Sequence, residues 1–266
     1  MCLILFGVET SPDLPLILAA NRDEFYVRPT RAMEFWADAP HILAGRDLEA
    51  GGTWMGVSNA GRFAALTNYR DLRDVKSRAP SRGELVLNIL NHPASVQEAM
   101  HDIGKTASAY NGFNLLAGDA GGVFWYSNRQ GDIHQVQPGW HGLSNHLLDT
   151  PWPKVERGKA EFQSVVKASP MDDNALFKVL TDKAQPPEKA LPDTGVGLEW
   201  ERILSPLFIQ SPTYGTRCST LMRITGTNDI LVTERTYDTS DHRKYTDKRF
   251  SFGIRNKRSE TEDTQE

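Results

Sequence analysis

The second residue of the chain, Cys2, is the first candidate for chemistry. Methionine aminopeptidase removes Met1 before small residues, which would leave Cys2 with a free α-amine beside its thiol. An α-amine titrates near neutrality, at roughly 7.7 to 8, so it can take the proton from the thiol without a separate histidine. The position therefore predicts an N-terminal nucleophile that carries its own base. The plainer alternative is a small buried residue that opens a strand.

A polar cluster in the segment AANRDEF follows the apolar run of residues 16–20. Its members are Asn21, Arg22, Asp23 and Glu24. If the apolar run pairs with the first strand as a hairpin, antiparallel geometry brings the cluster to Cys2. There an arginine would lower the pKa of the thiol, and Asp23 would orient the α-ammonium group. An Arg–Asp pair that only holds a turn is an equal alternative.

Three further polar residues follow or open predicted strands. Asn68 in LTNYR and Asn145 in GLSNH each come just after a short apolar run. A side-chain amide can donate to the oxyanion of a tetrahedral intermediate, although an asparagine after a strand is more often a turn residue. Arg217 in YGTRCSTLM opens a strand and suits a substrate carboxylate or a thiolate.

No motif indicates a structural metal or a phosphate-binding loop. The seven histidines include no HExxH pair, the two cysteines form no CxxC, and neither GxGxxG nor GxxxxGK occurs. We therefore predict no metal site. His141 and His146 lie closest to a candidate motif and are candidate axial ligands for haem iron, whereas a lone histidine is more often a surface residue.

Composition predicts a soluble globular protein. The 266 residues are 39% hydrophobic and carry a net charge of -4, with no broad positive field for a nucleic-acid backbone. The apolar run of residues 2–8 is too short to span a bilayer and lacks the flanks of a secretory signal. Two cysteines form no disulfide framework, which predicts a reducing compartment, the cytoplasm.

Short apolar runs rich in branched residues predict strands in three groups, at residues 2–8, 16–20, 41–44, 53–57 and 62–67, then 113–117, 123–127 and 133–136, and finally 216–224, 230–237 and 248–253. Two helices are predicted from the capping-box pairs Ser81 with Glu84 and Ser95 with Glu98, the second ending at Gly104. Two more are predicted at residues 153–168 and 173–184, before a proline-rich loop or lid.

This order of elements predicts an α+β fold: a four-layer αββα sandwich of two stacked antiparallel sheets flanked by helices. The sequence shows no early linker. We therefore predict one domain over residues 1–253 and a charged, disordered tail over 254–266.

Taken together, these motifs resemble the NRDE family, which is also the transport and Golgi organisation protein 2 family. The matching pieces run in order along almost the whole chain: MC, AANRDEF with RPT, GRDLEAGGTWMG, ALTNYR, SRGELV, GFNLL, GLSN and GTRCSTL. The resemblance implies the N-terminal-nucleophile hydrolase fold and a shared pocket for Cys2, Arg22, Asp23, Asn68, Asn145 and Arg217. Around that pocket we predict a ligand-binding set of Asn21, Glu24, Trp54, Tyr69, His141 and His146.

The resemblance also implies haem trafficking and the handling of acyl-CoA and lipids inside the cell. The first hypothesis is a carrier for a small hydrophobic, carboxylate-bearing ligand, haem or acyl-CoA, with Arg22 or Arg217 at the carboxylates. Its aromatic wall would come from Trp36, Trp54 or Trp125.

The alternative is an active cysteine hydrolase of a small amide or acyl thioester, which needs no cofactor. In it Cys2 attacks, its amine shuttles the proton, and Asn68 or Asn145 stabilises the oxyanion. A third possibility is a scaffold in which the polar cluster only stabilises the fold.

Overall fold

The structure is a computed structural model that describes residues 2–73, 75–168 and 171–255. Within these ranges the chain forms thirteen β-strands and five α-helices. In chain order they are β1 (Cys2–Ser11), β2 (Leu14–Phe25), β3 (Thr30–Trp36), β4 (Ala39–Asp47), β5 (Met55–Ser58), β6 (Phe63–Asn68), α1 (Gly83–Asn91), α2 (Val96–Thr106), β7 (Phe113–Asp119), β8 (Gly122–Ser127), β9 (Ile133–Gln135), β10 (Gly139–Leu143), α3 (Pro153–Lys167), α4 (Asp173–Leu180), α5 (Leu198–Ile203), β11 (Tyr214–Ile224), β12 (Asp229–Tyr237) and β13 (Tyr245–Gly253).

The strands form two antiparallel sheets. The first sheet has the order β10-β1-β2-β11-β12-β13, and the second is a meander with the order β3-β4-β5-β6-β7-β8-β9. The predicted hairpin of β1 and β2 is confirmed. Strands from later in the chain, β10 and β11, flank this hairpin on both sides. The hairpin is therefore an interior part of the first sheet rather than an edge.

Strand β1 is apolar on both of its faces. Ile4, Phe6 and Val8 pack between the two sheets, whereas Leu3 and Leu5 pack on the opposite face against α3 and α4. Successive side chains of a strand point to opposite faces, so a strand covered on both sides reads as a continuous apolar run. This explains why residues 2–8 show no alternation of polar and apolar residues.

Helices cover the outer faces of both sheets. Leu66 of β6 packs with Ile89 of α1 and Met100 of α2 on the outside of the second sheet. Phe162 of α3 and Phe177 of α4 pack on the outside of the first. With the core between the sheets, these clusters give the four layers in the order α, β, β, α. The predicted αββα sandwich is therefore confirmed.

The two capping-box predictions have different outcomes. At α2, Ser95 and Glu98 form both reciprocal hydrogen bonds of the box. At α1 the prediction is wrong, because the helix begins at Gly83 after Arg82 and has no side-chain cap. Spacing alone does not fix the φ and ψ angles that place a serine at the N-cap. Gly104 lies inside α2 rather than ending it.

Several elements differ from the prediction. The structure adds β3, β10 and α5, and α4 ends at Leu180 rather than at residue 184. Strand β10 carries two glycines in five residues, a composition that is rare in strands. Helix α5 is only six residues long, too short for a periodic pattern.

Near the C-terminal end of the described chain, Ile254 N donates to Asn228 O and Arg255 N donates to Asn59 O. The rest of the predicted tail, residues 256–266, lies outside the described residues. The single domain stays a prediction. None of the helices in the described ranges is long and apolar enough to cross a membrane.

The difference between the N-terminal caps of α1 and α2 gives a prediction about stability. Ser95→Ala should lower the free energy of unfolding by about 1 kcal/mol, because it removes a complete capping box. Ser81→Ala is the matched control and should stay within about 0.5 kcal/mol of wild type, since Ser81 Oγ accepts one long bond of 3.4 Å from Gly83 N. Urea unfolding measures both, and equal losses would contradict the assignment.

Candidate functional site

Cys2 begins β1, and its strand neighbour on β2 comes from the predicted site. Its Cα partner on β2 is Arg22. On the other side, β10 pairs with β1 as far as Leu143, opposite Ile4. Asn145 follows two residues after the end of β10. The Cys2 side chain and Met1 lie outside the described residues, so the role of the thiol as nucleophile stays a prediction.

The prediction that the polar cluster follows a strand is wrong, because the cluster lies inside β2. Asn21, Arg22 and Asp23 are buried, at 1%, 5% and 2% exposure. Asn21 Nδ2 donates to Leu180 O at 2.8 Å and to Leu207 O at 2.9 Å. These hydrogen bonds link Asn21 of β2 to the backbone of the layer that covers the outer face of the first sheet. Buried polar groups are tolerated when they are hydrogen-bonded, which apolarity patterns cannot detect.

Arg22 stacks on Trp54, with its guanidinium carbon 4.0 Å from the ring centroid. This cation–π contact joins the two sheets at the site. Gly45 makes room for it, because a Cβ at that position would lie 2.3 Å from the Trp54 ring. The predicted aromatic wall at Trp54 therefore depends on the glycine of the GR dipeptide in β4.

Asp23 is the most buried acid of the cluster. Thr216 Oγ1 donates to Asp23 Oδ1 at 2.6 Å, and Tyr214 Oη donates to Asp23 O at 3.1 Å. Burial raises the pKa of Asp23, and the positive charges of Lys154 and Arg22 oppose that rise. Sequence reasoning missed Lys154, which is 3% exposed near the start of α3 and donates to Leu204 O at 3.0 Å.

The two predicted asparagines contact each other but differ in availability. Asn145 is 1% exposed and its Nδ2 donates to Asn68 O at 3.0 Å. The Asn68 side chain lines the pocket described below and has no hydrogen bond to another described residue. Asn68 is therefore the open amide donor, while Asn145 holds its backbone in place.

Arg217 does not line the pocket. Its Nη1 donates to Phe25 O and Arg28 O at 3.0 and 2.8 Å, and its Nη2 donates to Thr30 Oγ1 at 3.1 Å. Burial and the charge of Arg22 lower the pKa of Arg217. The side chain fastens the turn from β2 to β3, so the predicted contact with a ligand carboxylate has no geometric support.

Two adjacent pockets with common walls lie beside the cluster, and we describe them as two lobes. We call the first the inner lobe; it has a volume of about 390 Å³, and its walls include Arg22, Asp23, Asp47, Glu49, Trp54 and Ser81. The outer lobe, of about 600 Å³, has walls that include Phe25, Tyr69, Leu72, Val75, Val196 and Trp200. The lobes share Glu24, Arg28, Asn68, Arg82 and Asn111. The predicted walls Trp36 and Trp125 line neither lobe.

The outer lobe is closed on one side by the segment that leads into α5. Arg70 Nη2 lies 3.0 Å from Glu201 Oε2, with both side chains at most 4% exposed. Leu72 N also donates to Thr194 O at 3.2 Å. Arg70 Nε and Nη1 and Glu201 Oε2 nevertheless have no hydrogen-bond partner among the described residues. Sequence reasoning missed both residues, because distant charges show no pairing signal.

The ring nitrogens of both predicted haem ligands lie within hydrogen-bond distance of protein atoms. His141 contacts Asp149 Oδ2 at 2.7 Å and Gln137 O at 2.9 Å. Burial alone would lower the pKa of His141, but Asp149 and the Gln137 carbonyl raise it overall. His146 contacts Tyr69 Oη at 2.7 Å and Thr150 Oγ1 at 2.9 Å, and burial lowers its pKa. His146 therefore positions Tyr69 at the outer lobe.

The family and its curated members match this chain along most of its length. A family model described as Transport and Golgi organisation 2 matches residues 1–239. A Transport and Golgi organization protein 2 homolog from Bos taurus is 37% identical over 262 residues, 91% of this chain and 95% of its own. The Homo sapiens homolog is 34% identical over 275 residues, 96% of this chain and 99% of its own.

Solved structures show only a distant likeness. A Caenorhabditis elegans N-acylethanolamine-hydrolyzing acid amidase ortholog has a TM-score of 0.48 at 10% identity, over 83% of this chain and 92% of its own. A conjugated bile acid hydrolase from Clostridium perfringens has a TM-score of 0.41 at 9% identity, over 96% and 98%. Neither score is high enough to carry an argument about this chain.

The buried carboxyl of Asp23 gives a prediction about pH. Because burial raises its pKa above 3.8, its contribution to stability is full below the unfolded pKa and is lost as the pH rises through the folded pKa. Asp23→Asn cannot ionise, so its stability relative to wild type should rise with pH above about 4, by up to about 1.4 kcal/mol per pH unit. Urea unfolding at several pH values measures this difference.

Exposed Asp13 offers the matched control. If the Asp23→Asn difference varies with pH no more than the Asp13→Asn difference does, the buried carboxyl does not titrate as described.

Proposed function

This chain belongs to the Transport and Golgi organisation 2 family, and we propose that it is a cytoplasmic handler of acyl cargo. The observation that carries the proposal is the junction of a charged inner lobe with an apolar outer lobe through shared walls. A ligand with a polar head and a hydrocarbon body matches this order of surfaces. Acyl carboxylates and acyl thioesters belong to that chemical class.

The inner lobe suits the polar head. Arg28 is already paired, with Nη2 2.8 Å from Asp47 Oδ2 and Nη1 3.3 Å from Glu49 Oε1. Arg22 presents its guanidinium to the Trp54 face, so a charge or carbonyl can approach its edge. The Asn68 amide lies at the junction of the lobes. We therefore place the carboxyl or thioester group between Arg22 and Asn68.

Haem is the other cargo class implied by the resemblance. Axial ligation by a histidine needs an open ring nitrogen, and His141 and His146 both use their ring nitrogens on protein groups. An acyl ligand requires no such rearrangement. The described geometry therefore favours acyl cargo over histidine-ligated haem.

Binding of lauroyl-CoA tests the proposal. Leu72→Glu should weaken binding at least about tenfold, because it puts a charge into the apolar wall of the outer lobe. Phe35→Glu is the matched control, since Phe35 is 41% exposed but lines neither lobe. Isothermal titration of lauroyl-CoA measures affinity, and haemin titration with a Soret readout runs in parallel. Haemin binding without lauroyl-CoA binding would overturn the choice of cargo.

A second candidate function, hydrolysis of an acyl thioester or amide, is favoured by the register at Cys2. Its strand partner is Arg22 of the inner lobe, and Asn145 follows β10 on the other side. Attack by a Cys2 thiolate on the acyl carbon would form a tetrahedral oxyanion, for which the open Asn68 amide is a suitable donor. Its collapse would break the bond to the leaving thiol or amine, which takes a proton from the α-ammonium group, and water would then release the acid from the acyl-cysteine. The same ligand position then serves for carriage and for cleavage.

Turnover of lauroyl-CoA separates the two candidates. Cys2→Ala should abolish hydrolysis and leave lauroyl-CoA affinity within about twofold. Asn68→Ala should lower kcat by about 100-fold. Asn111→Ala is its matched control, because Asn111 lines both lobes but bonds the Lys76 backbone. Retention of Met1 in the intact mass, or hydrolysis that survives Cys2→Ala, would exclude the mechanism.

A further inference from the structure

Exposed apolar side chains are concentrated at one place on the molecule. Nine large hydrophobic side chains of the described residues are exposed, and six of them belong to segments that surround the outer lobe. We call this set the mouth rim; it consists of Phe25, Val27, Leu72, Val75, Leu198 and Trp200. Single exposed apolar residues are ordinary, but a contiguous set around a pocket marks an interaction site.

The rim comes from three separate parts of the chain. Phe25 ends β2 and Val27 lies in the turn after it, at 47% and 89% exposure. Helix α5 contributes Leu198 and Trp200, at 46% and 37%. The loop after β6 contributes Leu72 and Val75, at 56% and 57%. Four rim residues line the outer lobe, while Val27 and Leu198 do not. The rim is therefore wider than the pocket, and its outer members have no part in holding a ligand.

Basic side chains are interleaved with the rim. The loop that carries Leu72 and Val75 also carries exposed Arg73 and Arg78, as well as Lys76, whose Nζ donates to Ser108 O and Tyr110 O. Arg73 contacts Asp71 at 2.8 Å but keeps 69% of its side chain exposed. Apolar side chains next to lysine and arginine match a lipid surface, which offers hydrocarbon beneath phosphate. Exposed Asp193 and Glu199 on the α5 side make the attraction to anionic lipid modest.

From these observations we propose that the mouth rim docks on a lipid bilayer, so that the outer lobe opens onto the membrane. A protein seated on the rim would cover the mouth of the pocket, whereas a bilayer supplies acyl chains to it. The choice of a bilayer over a protein, like the identity of what enters, rests on the proposed acyl cargo function. A lipid-borne acyl chain would then pass into the outer lobe without crossing water.

Vesicle flotation tests the docking with the full chain. The probes are vesicles of phosphatidylcholine alone and of phosphatidylcholine with phosphatidylserine. Wild type should float with both and more strongly with the second. The double variant Val27→Glu with Leu198→Glu should lose at least about tenfold in bound fraction, because it places charges in the contact. Phe35→Glu is the control, since Phe35 is 41% exposed and packs against Phe250 and Phe252 of β13 rather than at the outer lobe.

Octanoyl-CoA binding in solution distinguishes this proposal from the acyl cargo proposal. The double variant should bind octanoyl-CoA as wild type does, since neither substituted residue lines a lobe. If the double variant floats like wild type, the docking proposal is wrong. It is also wrong if wild type does not float and instead forms a dimer that the substitutions disrupt. If flotation depends on the rim but the protein does not bind octanoyl-CoA, the docking proposal stands and the acyl cargo proposal is wrong.

Discussion

The pairing of β1 with β2 is the constraint on which the rest of the site depends. It sets Cys2 opposite Arg22 and carries the polar cluster into the middle of the first sheet. Because β10 and β11 pair on either side, neither strand can slip without breaking a ladder on both flanks. A slip of one residue would also turn Arg22 away from Trp54 and Ile4 away from the core. The register thus fixes packing and site together.

Burial gives the polar cluster its chemical character. Asp23 accepts from Thr216 in a position with 2% exposure, and Arg22 lies on an indole rather than in water. In a medium of low dielectric each charge acts on its neighbours more strongly than it would at the surface. The raised pKa of Asp23 shows that desolvation exceeds the attraction of nearby cations. Groups whose pKa is shifted by burial and by nearby charges are common at functional sites.

The sequence predicts the layers and the hairpin because apolar runs and turns record burial directly. The resemblance to the family implies that Asn68 and Asn145 share a pocket, although only the structure separates the open amide from the one that is bonded. The sequence does not indicate the roles of Lys154, Arg70 and Glu201. Each of them contacts a partner that lies more than 45 residues away along the chain. The residue type of Arg217 predicts a bond to a ligand carboxylate or a thiolate, but its Nη1 donates to the carbonyls of Phe25 and Arg28 instead. Residue type predicts what a side chain can bond, and packing decides what it does bond.

The contact of Arg70 with Glu201 shows how the fold forms the outer lobe without a large gain in stability. Burial lowers the pKa of Arg70, and its Nε and Nη1 have no hydrogen-bond partner within the described chain. Such a pair adds little net stability, yet losing one member leaves a buried charge at a cost of about 3 to 5 kcal/mol. It therefore acts mainly by position, holding α5 and its Trp200 over the loop that carries Leu72. The outer lobe thus depends on the contact of Arg70 with Glu201, as the inner lobe depends on Arg22.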